Sequence, residues 1–354
     1  MTQRDEYSAA AQIRAARLKK RLRKKIRRTI LLITILVLLS GGGLFAIYQL
    51  KFGNLSKPLQ PYKAANEFEN TLFSKEKQRA DAFAANLCVV QGDVPLGEVS
   101  LEADQEGVLL DLNAKNVLYS KGAYERVYPA SITKIMTAML ALKYGNMDEI
   151  ITITQENVTL EEGSQVCGFQ AGDRVTMDQL LHCLLVYSGN DAASAIAEHI
   201  GGSTGYFVDM MNSYAASLGC TGTHFTNPHG LQDENHYTTP YDIYLMLNEA
   251  LKYPEFTEIT QLSSYTVTYT RADGSEMSTV LEATDHYLTG EASAPKDVTI
   301  LGGKTGTTSD AGNCLALLSQ NAYGNPFVSI VMGASTKELL YQQMNSLLQN
   351  INNI

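Results

Sequence analysis

Between residue 107 and the C-terminus, strand-like segments lie at both ends of the chain and helix-like segments lie between them. Residues 107–112 and 116–122 flank a turn-forming tripeptide and predict a β-hairpin. Runs rich in β-branched and apolar residues predict further strands over 264–269, 298–301, 314–319 and 327–332. Apolar residues at helical spacing predict helices over 177–187, 192–200, 206–218, 241–251 and 336–348. The pattern therefore predicts an α/β (α+β) fold in which both termini build an antiparallel sheet and the helices form an insertion.

Composition divides the chain into four segments. Residues 1–28 form a basic tail, 29–50 an apolar run, 51–86 a linker with prolines and charges, and 87–354 the folded part. The folded part is long enough to bury a large core, either as one domain or as two interlocked lobes.

The apolar run predicts a membrane anchor. Its 22 residues carry no charge, and at about 1.5 Å per residue a helix of this length reaches about 33 Å, enough to cross a bilayer core. The tail carries eleven Lys and Arg residues, and the positive-inside rule places it in the cytoplasm. The prediction is a single-pass protein of the cell membrane whose folded part is extracytoplasmic. A cleaved signal peptide is the alternative, but the long basic leader and the length of the run favour an uncleaved helix.

The charge balance argues against a nucleic-acid partner. The whole chain has 28 basic and 37 acidic residues, and the tail holds eleven of the basic and two of the acidic ones. Residues 29–354 therefore keep 17 basic and 35 acidic residues, a net charge of −18. An acidic surface of this kind is unsuited to phosphate backbones.

Cysteine and histidine spacing predicts no metal site. The five cysteines are Cys88, Cys167, Cys183, Cys220 and Cys314. They match no zinc spacing, and their odd count leaves at least one thiol free even if a disulfide forms. Cys183 lies in an apolar helical run, which predicts a buried thiol. His224, His229 and His236 lack the spacing of a helical zinc pair, and we expect His229 and His236 to order a loop instead.

The segment 129–138 places a serine hydroxyl and a lysine amine three residues apart, where a turn leads into a helix. Side chains at i and i+3 share a helical face, so Ser131 Oγ and Lys134 Nζ are predicted to lie within hydrogen-bond distance. Apolar flanks desolvate the amine and lower the pKa of Lys134, and a neutral amine can take the proton of an attacking serine. Taken alone, S-x-x-K is common by chance and also fits a helix N-cap beside a solvated lysine.

Two further segments carry polar side chains suited to the same chemistry. In the connector 187–191, Ser188 and Asn190 are predicted to project from the turn between two helices, and Asp191 to cap the second helix. Two interpretations are open. In the functional one, the connector supplies a second hydroxyl that relays a proton and an amide that holds a peptide group; in the other, it only joins two helices.

The segment 301–308, with the sequence LGGKTGTT, resembles a phosphate-binding loop only superficially. The first glycine of that motif is replaced by Val298, and a strand rather than a helix is predicted after the lysine. On an edge strand, Lys304 gives a cationic wall to a cleft, and Thr305 and Thr307 can contact a substrate carboxylate. Gly306 lets a ligand backbone approach closely.

The motifs S-x-x-K, S-G-N and K-T-G follow one another in the order found in penicillin-binding proteins and serine β-lactamases. The chain resembles these enzymes over about residues 107–335. Within them it is similar to the low-molecular-weight D-alanyl-D-alanine carboxypeptidases of the peptidase S11 group, through the longer runs at 188–193, 223–231, 236–242 and 304–308. Many relatives also have a small β-rich domain and a C-terminal anchor; this chain is instead expected to stop one helix after Met332 and to carry its anchor at the N-terminus.

The resemblance implies a penicillin-binding-protein and serine β-lactamase fold and a role for each motif residue. Ser131 is then the acylated nucleophile, Lys134 its general base, and Ser188 and Asn190 serve in proton relay and positioning. Lys304, Thr305, Gly306 and Thr307 bind substrate, and the N–H groups of Ser131 and Thr307 form the oxyanion hole.

The implied substrate is a peptidoglycan stem peptide, from which the last D-alanine is removed during cell-wall synthesis. β-Lactam antibiotics are implied as covalent inhibitors, and no cofactor or metal is implied. A secreted serine β-lactamase and a catalytically silent wall-binding module are the alternatives. The first needs a glutamate that activates the deacylating water, and no E-x-x-L-N run follows Ser188. The intact motif residues argue against the second.

Overall fold

The structure, a computed structural model, describes residues 18–35, 86–97 and 99–353. Residues 18–35 are helical and belong to the unit Met1–Ala80; the remaining described residues belong to the unit Asp81–Ile354. None of the helices in the described ranges is both long and apolar enough to span a membrane. The predicted anchor over 29–50 and linker over 51–86 lie mostly outside the described residues, as does the tail before residue 18.

A five-stranded antiparallel sheet forms from both ends of the second unit, as predicted. Its strands in spatial order are β2 (Asn116–Lys121), β1 (Glu106–Asp111), β9 (Pro326–Ala334), β8 (Gly312–Gln320) and β7 (Thr299–Thr308). The predicted hairpin is confirmed as β1 and β2. β7 lies at the edge of the sheet among the described strands, as predicted for the segment that carries Lys304.

Alternating side chains of this sheet enter two separate cores. In β1, Val108 and Leu110 pack with the central helices, whereas Leu109 packs in a smaller cluster with the C-terminal helix α9 (Lys337–Leu348). Successive strand residues point to opposite faces, so a strand that is buried on both faces has a continuous run of apolar residues in its sequence. The sheet is thus covered by helices on both sides.

The helical insertion surrounds one helix, α1 (Lys134–Tyr144), that is buried over its first eight residues. Every residue from Lys134 to Ala141 in this helix is buried, so its apolar side chains pack on all sides. The other helices are α2 (Gln155–Val158), α3 (Met177–His182), α4 (Asn190–Gly201), α5 (Thr204–Leu218), α6 (Pro240–Ala250), α7 (Pro254–Thr260) and α8 (His286–Thr289).

A second sheet was not predicted. It has four antiparallel strands in the order β3 (Ile150–Thr152), β4 (Arg174–Thr176), β5 (Ser264–Thr270) and β6 (Glu276–Glu282). The predicted strand at 264–269 therefore belongs to this sheet and not to the terminal one. β3 and β4 have three residues each, too few for a periodic pattern to identify them.

Two predicted helices also differ from the structure where they meet the polar motifs. The predicted helix over 177–187 is an α-helix only to His182 and continues as a π-helical turn over Cys183–Tyr187. The helix expected from Ser131 begins as a 3₁₀ turn, Ala130–Thr133, and becomes α-helical at Lys134. The 3₁₀ turn contains Ser131, and the π-helical turn ends directly before Ser188. Short 3₁₀ and π-helical turns within helices are frequent at functional sites.

Candidate active site

The 3₁₀ turn brings Ser131 and Lys134 together. In a 3₁₀ turn the side chains at i and i+3 lie one above the other, and Lys134 Nζ is 2.8 Å from Ser131 Oγ, which confirms the predicted contact. Ala130, just before the serine, has a φ of 46°, in the left-handed region that costs energy for a residue with a Cβ. Ser131 is half-buried and faces a cleft.

The amine of Lys134 is fully enclosed, with no exposed surface. Nζ donates to Asn190 Oδ1 at 2.7 Å and to the carbonyl oxygen of His229 at 2.8 Å. Burial, and then the positive charge of Lys304, lower the pKa of Lys134 well below its ordinary value. A neutral amine has two N–H groups and one lone pair. Because these two partners only accept, the lone pair remains for the hydroxyl of Ser131.

The loop 226–236 holds the carbonyl of His229 in place beneath the serine. His236 Nε2 lies 2.8 Å from Thr133 Oγ1, and His236 Nδ1 accepts from the amide of Thr226 at 3.1 Å. Burial lowers the pKa of His229 to about 3 and that of His236 to about 4, so both imidazoles are neutral at pH 7. The amide of Leu231 donates to His229 Nδ1 at 3.2 Å, so both histidines order the loop, as predicted.

The S-G-N connector forms the opposite wall of the cleft. Ser188 has a φ of 70°, which ends the π-helical turn and aims the buried hydroxyl of Ser188 toward β7. Asp191 was predicted to cap α4, but this is wrong, because that helix already begins at Asn190. Its carboxylate instead accepts from the amides of Cys167 at 2.9 Å and Gly168 at 3.1 Å, which ties the loop around residues 163–169 to the site.

The third motif lies on β7, where Lys304 is buried, with 1% of its surface exposed. Its Nζ donates to Ser188 Oγ and to the carbonyl oxygen of Thr305, both at 2.9 Å. Burial lowers the pKa of Lys304 to about 7, and the negative charge of Asp285 partly offsets this shift. The amine of Lys304 therefore changes its charge near neutral pH.

Gly306 allows the serine turn to pack against β7. A Cβ at Gly306 would lie 3.0 Å from the amide nitrogen of Ser131 and 2.9 Å from the carbonyl oxygen of Pro129. The close neighbour of this glycine is thus the turn that carries Ser131. Close approach of a ligand to Gly306 stays a prediction. The hydroxyls of its neighbours are engaged locally: Thr305 Oγ1 lies 2.5 Å from Thr284 Oγ1, and Thr307 Oγ1 donates to Asn313 Oδ1 at 3.2 Å.

The three motifs surround one cleft with a volume of about 280 Å³. Six of the predicted site residues line it: Ser131, Ser188, Asn190, Thr305, Gly306 and Thr307. Lys134 and Lys304 are buried beside it and bonded to Ser131 and Ser188, respectively. The structure therefore brings all eight predicted site residues to one place.

Other polar or sulfur-bearing segments lie outside the cleft motifs. Residues 201–205, a G-x-S-x-G run, end α4 at Gly201 and begin α5, and Ser203 Oγ accepts from the amide of Tyr206 at 3.2 Å. All five cysteines lie in the described ranges and carry free thiols, and Cys183 is fully buried, as predicted. Among the described residues, no cluster of His, Cys, Asp or Glu side chains could hold a metal ion.

Sequence reasoning missed three contributors to the site: the carbonyl of His229, Asn313 and Thr284. A backbone carbonyl has no side-chain signature, so no pattern could assign the first. Asn313 and Thr284 contact motif residues from other parts of the chain and match no motif of their own. Their proximity to the strand β7 required the tertiary structure.

Comparison with known proteins identifies relatives of the chain. The sequence model of the family described as D-alanyl-D-alanine carboxypeptidase, Peptidase S11, matches residues 96–336. D-alanyl-D-alanine carboxypeptidase DacF of Bacillus subtilis is 34% identical over 274 residues, covering 75% of this chain and 66% of that protein. DacC of Escherichia coli is 32% identical over 254 residues, covering 68% of this chain and 59% of that protein. The chain thus spans somewhat less than two thirds of the length of these curated relatives.

Solved structures with the same fold include DD-peptidases. A point mutant of the DD-transpeptidase from Streptomyces K15 superposes with a TM-score of 0.64 at 28% identity, covering 69% of this chain and 95% of that one. The D-alanyl-D-alanine carboxypeptidase of Mycobacterium tuberculosis gives a TM-score of 0.63 at 26% identity, covering 73% and 94%. The mixed α/β architecture with antiparallel sheets is therefore that of the DD-peptidases.

Proposed function

The chain belongs to the D-alanyl-D-alanine carboxypeptidase family, peptidase S11, and we propose that it is a serine-type D-Ala-D-Ala carboxypeptidase. Its substrate is the peptidoglycan stem pentapeptide, from which it removes the terminal D-alanine. The observation that carries the proposal is the enclosed Lys134 amine, 2.8 Å from Ser131 Oγ, with both of its N–H groups committed to acceptors. This arrangement makes Ser131 a nucleophile with its base already in place.

In the first half-reaction, Ser131 Oγ attacks the carbonyl carbon of the penultimate D-alanine while its proton passes to Lys134 Nζ. The N–H groups of Ser131 and Thr307 stabilise the oxyanion. Close packing of β7 against the turn that carries Ser131 supports this pairing of the two backbone donors. The peptide C–N bond then breaks, and the leaving amine receives a proton.

Ser188 is suited to deliver that proton. Lys304 Nζ donates to Ser188 Oγ, so the hydroxyl of Ser188 remains free to donate in turn to the leaving nitrogen. Ser188 then recovers a proton from the Lys134 ammonium, so the leaving amine gains, overall, the proton that Lys134 took from Ser131, and Lys134 is neutral again for the hydrolysis step. Asn190, which accepts from Lys134, positions the amine and the substrate's peptide group. Water then hydrolyses the ester on Ser131, and the tetrapeptide leaves.

Recognition of the substrate's end relies on charge and on hydroxyl donors. One side of the cleft is lined by Thr305 and Thr307, and the amine of Lys304 lies directly behind them. The terminal carboxylate of the pentapeptide binds on this side. The carboxylate of a penicillin binds the same groups, and its strained amide acylates Ser131. β-Lactams are therefore covalent inhibitors in this proposal.

A penicillin-labelling time course tests the proposed activity. We expect the protein to retain a fluorescent penicillin through a denaturing gel, because the acyl-enzyme is hydrolysed slowly. Rapid loss of the label with hydrolysis of the drug would instead indicate a β-lactamase. A protein that takes no label would be a silent binding module.

The charge states of the two lysines predict how acylation depends on pH. Lys134 acts as a neutral base, so the second-order rate constant for acylation by benzylpenicillin rises with pH through the lowered pKa of Lys134. Lys304 binds a carboxylate as a cation, so the same constant falls as pH rises through the Lys304 pKa of about 7.

Benzylpenicillin methyl ester, which has no carboxylate, serves as the control, and its acylation rate constant is expected not to fall at high pH. A rate constant for benzylpenicillin that keeps rising from pH 7 to about 9, two units above the Lys304 pKa, would contradict the assignment of Lys304.

The proposal extends to location. The basic tail and the uncharged run at 29–50 support a single membrane-spanning helix with the catalytic domain, residues 87–354, outside the cytoplasm. Full-length protein is expected to partition into detergent, and a variant that begins at residue 51 is expected to stay in the aqueous phase. Equal partitioning of the two would exclude an anchor in residues 1–50.

A further inference from the structure

We propose that Thr284 is a positioning residue that aims the hydroxyl of Thr305 at the terminal carboxylate of the substrate. The inference rests on the proposed function, in which Thr305 binds that carboxylate. Thr284 follows β6 of the second sheet and precedes α8, so it lies in the connection that leads from that sheet toward β7. It is half-buried and lines the cleft.

Contacts hold Thr284 from both sides. Its amide donates to the carbonyl oxygen of Val186 at 3.2 Å, and Val186 is a buried residue of the π-helical turn that ends beside Ser188. Its Oγ1 lies 2.5 Å from Thr305 Oγ1 on β7. Thr284 therefore links the wall that carries Ser188 to the wall that carries Thr305.

The chemistry of two adjacent hydroxyls fixes the direction of their hydrogen bond once a carboxylate binds. Each threonine hydroxyl has a single proton to donate, and a carboxylate can only accept. When Thr305 donates to the carboxylate, its oxygen must accept from Thr284. Thr284 then holds the Thr305 hydroxyl in the donating orientation, and the chain of two hydrogen bonds polarises the proton that the carboxylate receives.

The predicted effect of Thr284 is confined to ligands that carry a carboxylate. Thr284→Val keeps the shape of the side chain and removes the donor. Loss of one neutral hydrogen bond is expected to lower the rate constant for acylation by benzylpenicillin about 5- to 10-fold. Acylation by benzylpenicillin methyl ester is expected to be unchanged. Thr284→Ser, which keeps the hydroxyl, is expected to behave like the wild type.

Two controls separate this role from a merely structural one. Thr268 on β5 makes a comparable hydroxyl contact, 3.0 Å from Ser278 Oγ on β6; it is exposed and is not among the residues that line the cleft. Thr268→Val is expected to leave both rate constants unchanged. In a double-mutant cycle, Thr284→Val added to Thr305→Val is expected to cost nothing further, because its effect acts through Thr305.

The experiment measures acylation of the full-length wild type and these variants by benzylpenicillin and by its methyl ester. A loss confined to benzylpenicillin, rescued by serine and absent in the Thr305→Val background, supports the inference. No loss, an equal loss with both ligands, or additive losses in the cycle would overturn it. Failure of the wild type itself to be acylated would instead refute the proposed function, so the two failures are distinct.

Discussion

Replacing Ser131 with alanine is expected to abolish covalent modification of the protein by penicillin. The substitution removes the only atom that forms the acyl bond in the proposed mechanism and leaves Lys134, Asn190 and Lys304 in place. Intact-protein mass spectrometry after incubation with benzylpenicillin is expected to show the mass of the drug on the wild type and none on Ser131→Ala. Because Ser131 is half-buried at the cleft, the fold is expected to survive, as checked by circular dichroism.

A matched control is available in β9. Ser329 is fully buried and its hydroxyl has no hydrogen-bond partner among the described residues, so Ser329→Ala removes a buried serine outside the cleft motifs. This variant is expected to be acylated like the wild type. Persistent acylation of a folded Ser131→Ala protein would end the assignment of the nucleophile.

Replacing Lys134 with alanine is expected to slow acylation of Ser131 by about 10²- to 10⁴-fold, the usual contribution of a general base. The serine remains, so label still accumulates over long incubation. The variant also leaves Asn190 Oδ1 and the carbonyl of His229 without their donor, which lowers the free energy of unfolding by about 1–3 kcal/mol for each group that stays buried and unpaired. Stopped-flow acylation rates and thermal unfolding measure the two effects separately.

The same helix supplies the control for this substitution. Lys143 lies near the C-terminal end of α1, with its Nζ 4.0 Å from the centre of the Tyr214 ring and no contact with the cleft motifs. Lys143→Ala removes a lysine from the same helix and is expected to keep the wild-type acylation rate. Near-normal acylation by Lys134→Ala would show that another group takes the proton of Ser131.

Local spacing was sufficient to predict one contact within a motif and the strand that carries another motif. The approach of Ser131 to Lys134 depends on three residues of turn, and the edge position of Lys304 follows from a strand pattern next to glycines. The terminal sheet was predictable for the same reason, since its strands are long enough to show their composition.

Contacts between segments that are distant in the chain could not be predicted from the sequence. Thr284 meets Thr305 because the second sheet returns the chain to β7, and two strands of that sheet have only three residues each. The apolar run before Ser188 predicted a continuous α-helix, because a π-helical turn and a left-handed serine leave no mark on hydrophobic spacing. Asp191 was predicted as a cap from its position at a helix start, whereas its partners are amides some 22 to 24 residues away.

Release of free D-alanine from a synthetic stem pentapeptide tests the central claim most directly. The full-length wild-type protein is expected to release one D-alanine per pentapeptide and leave the tetrapeptide, while Ser131→Ala releases none. Absence of D-alanine from a wild-type protein that folds and takes penicillin label, or equal release by Ser131→Ala, would contradict the account.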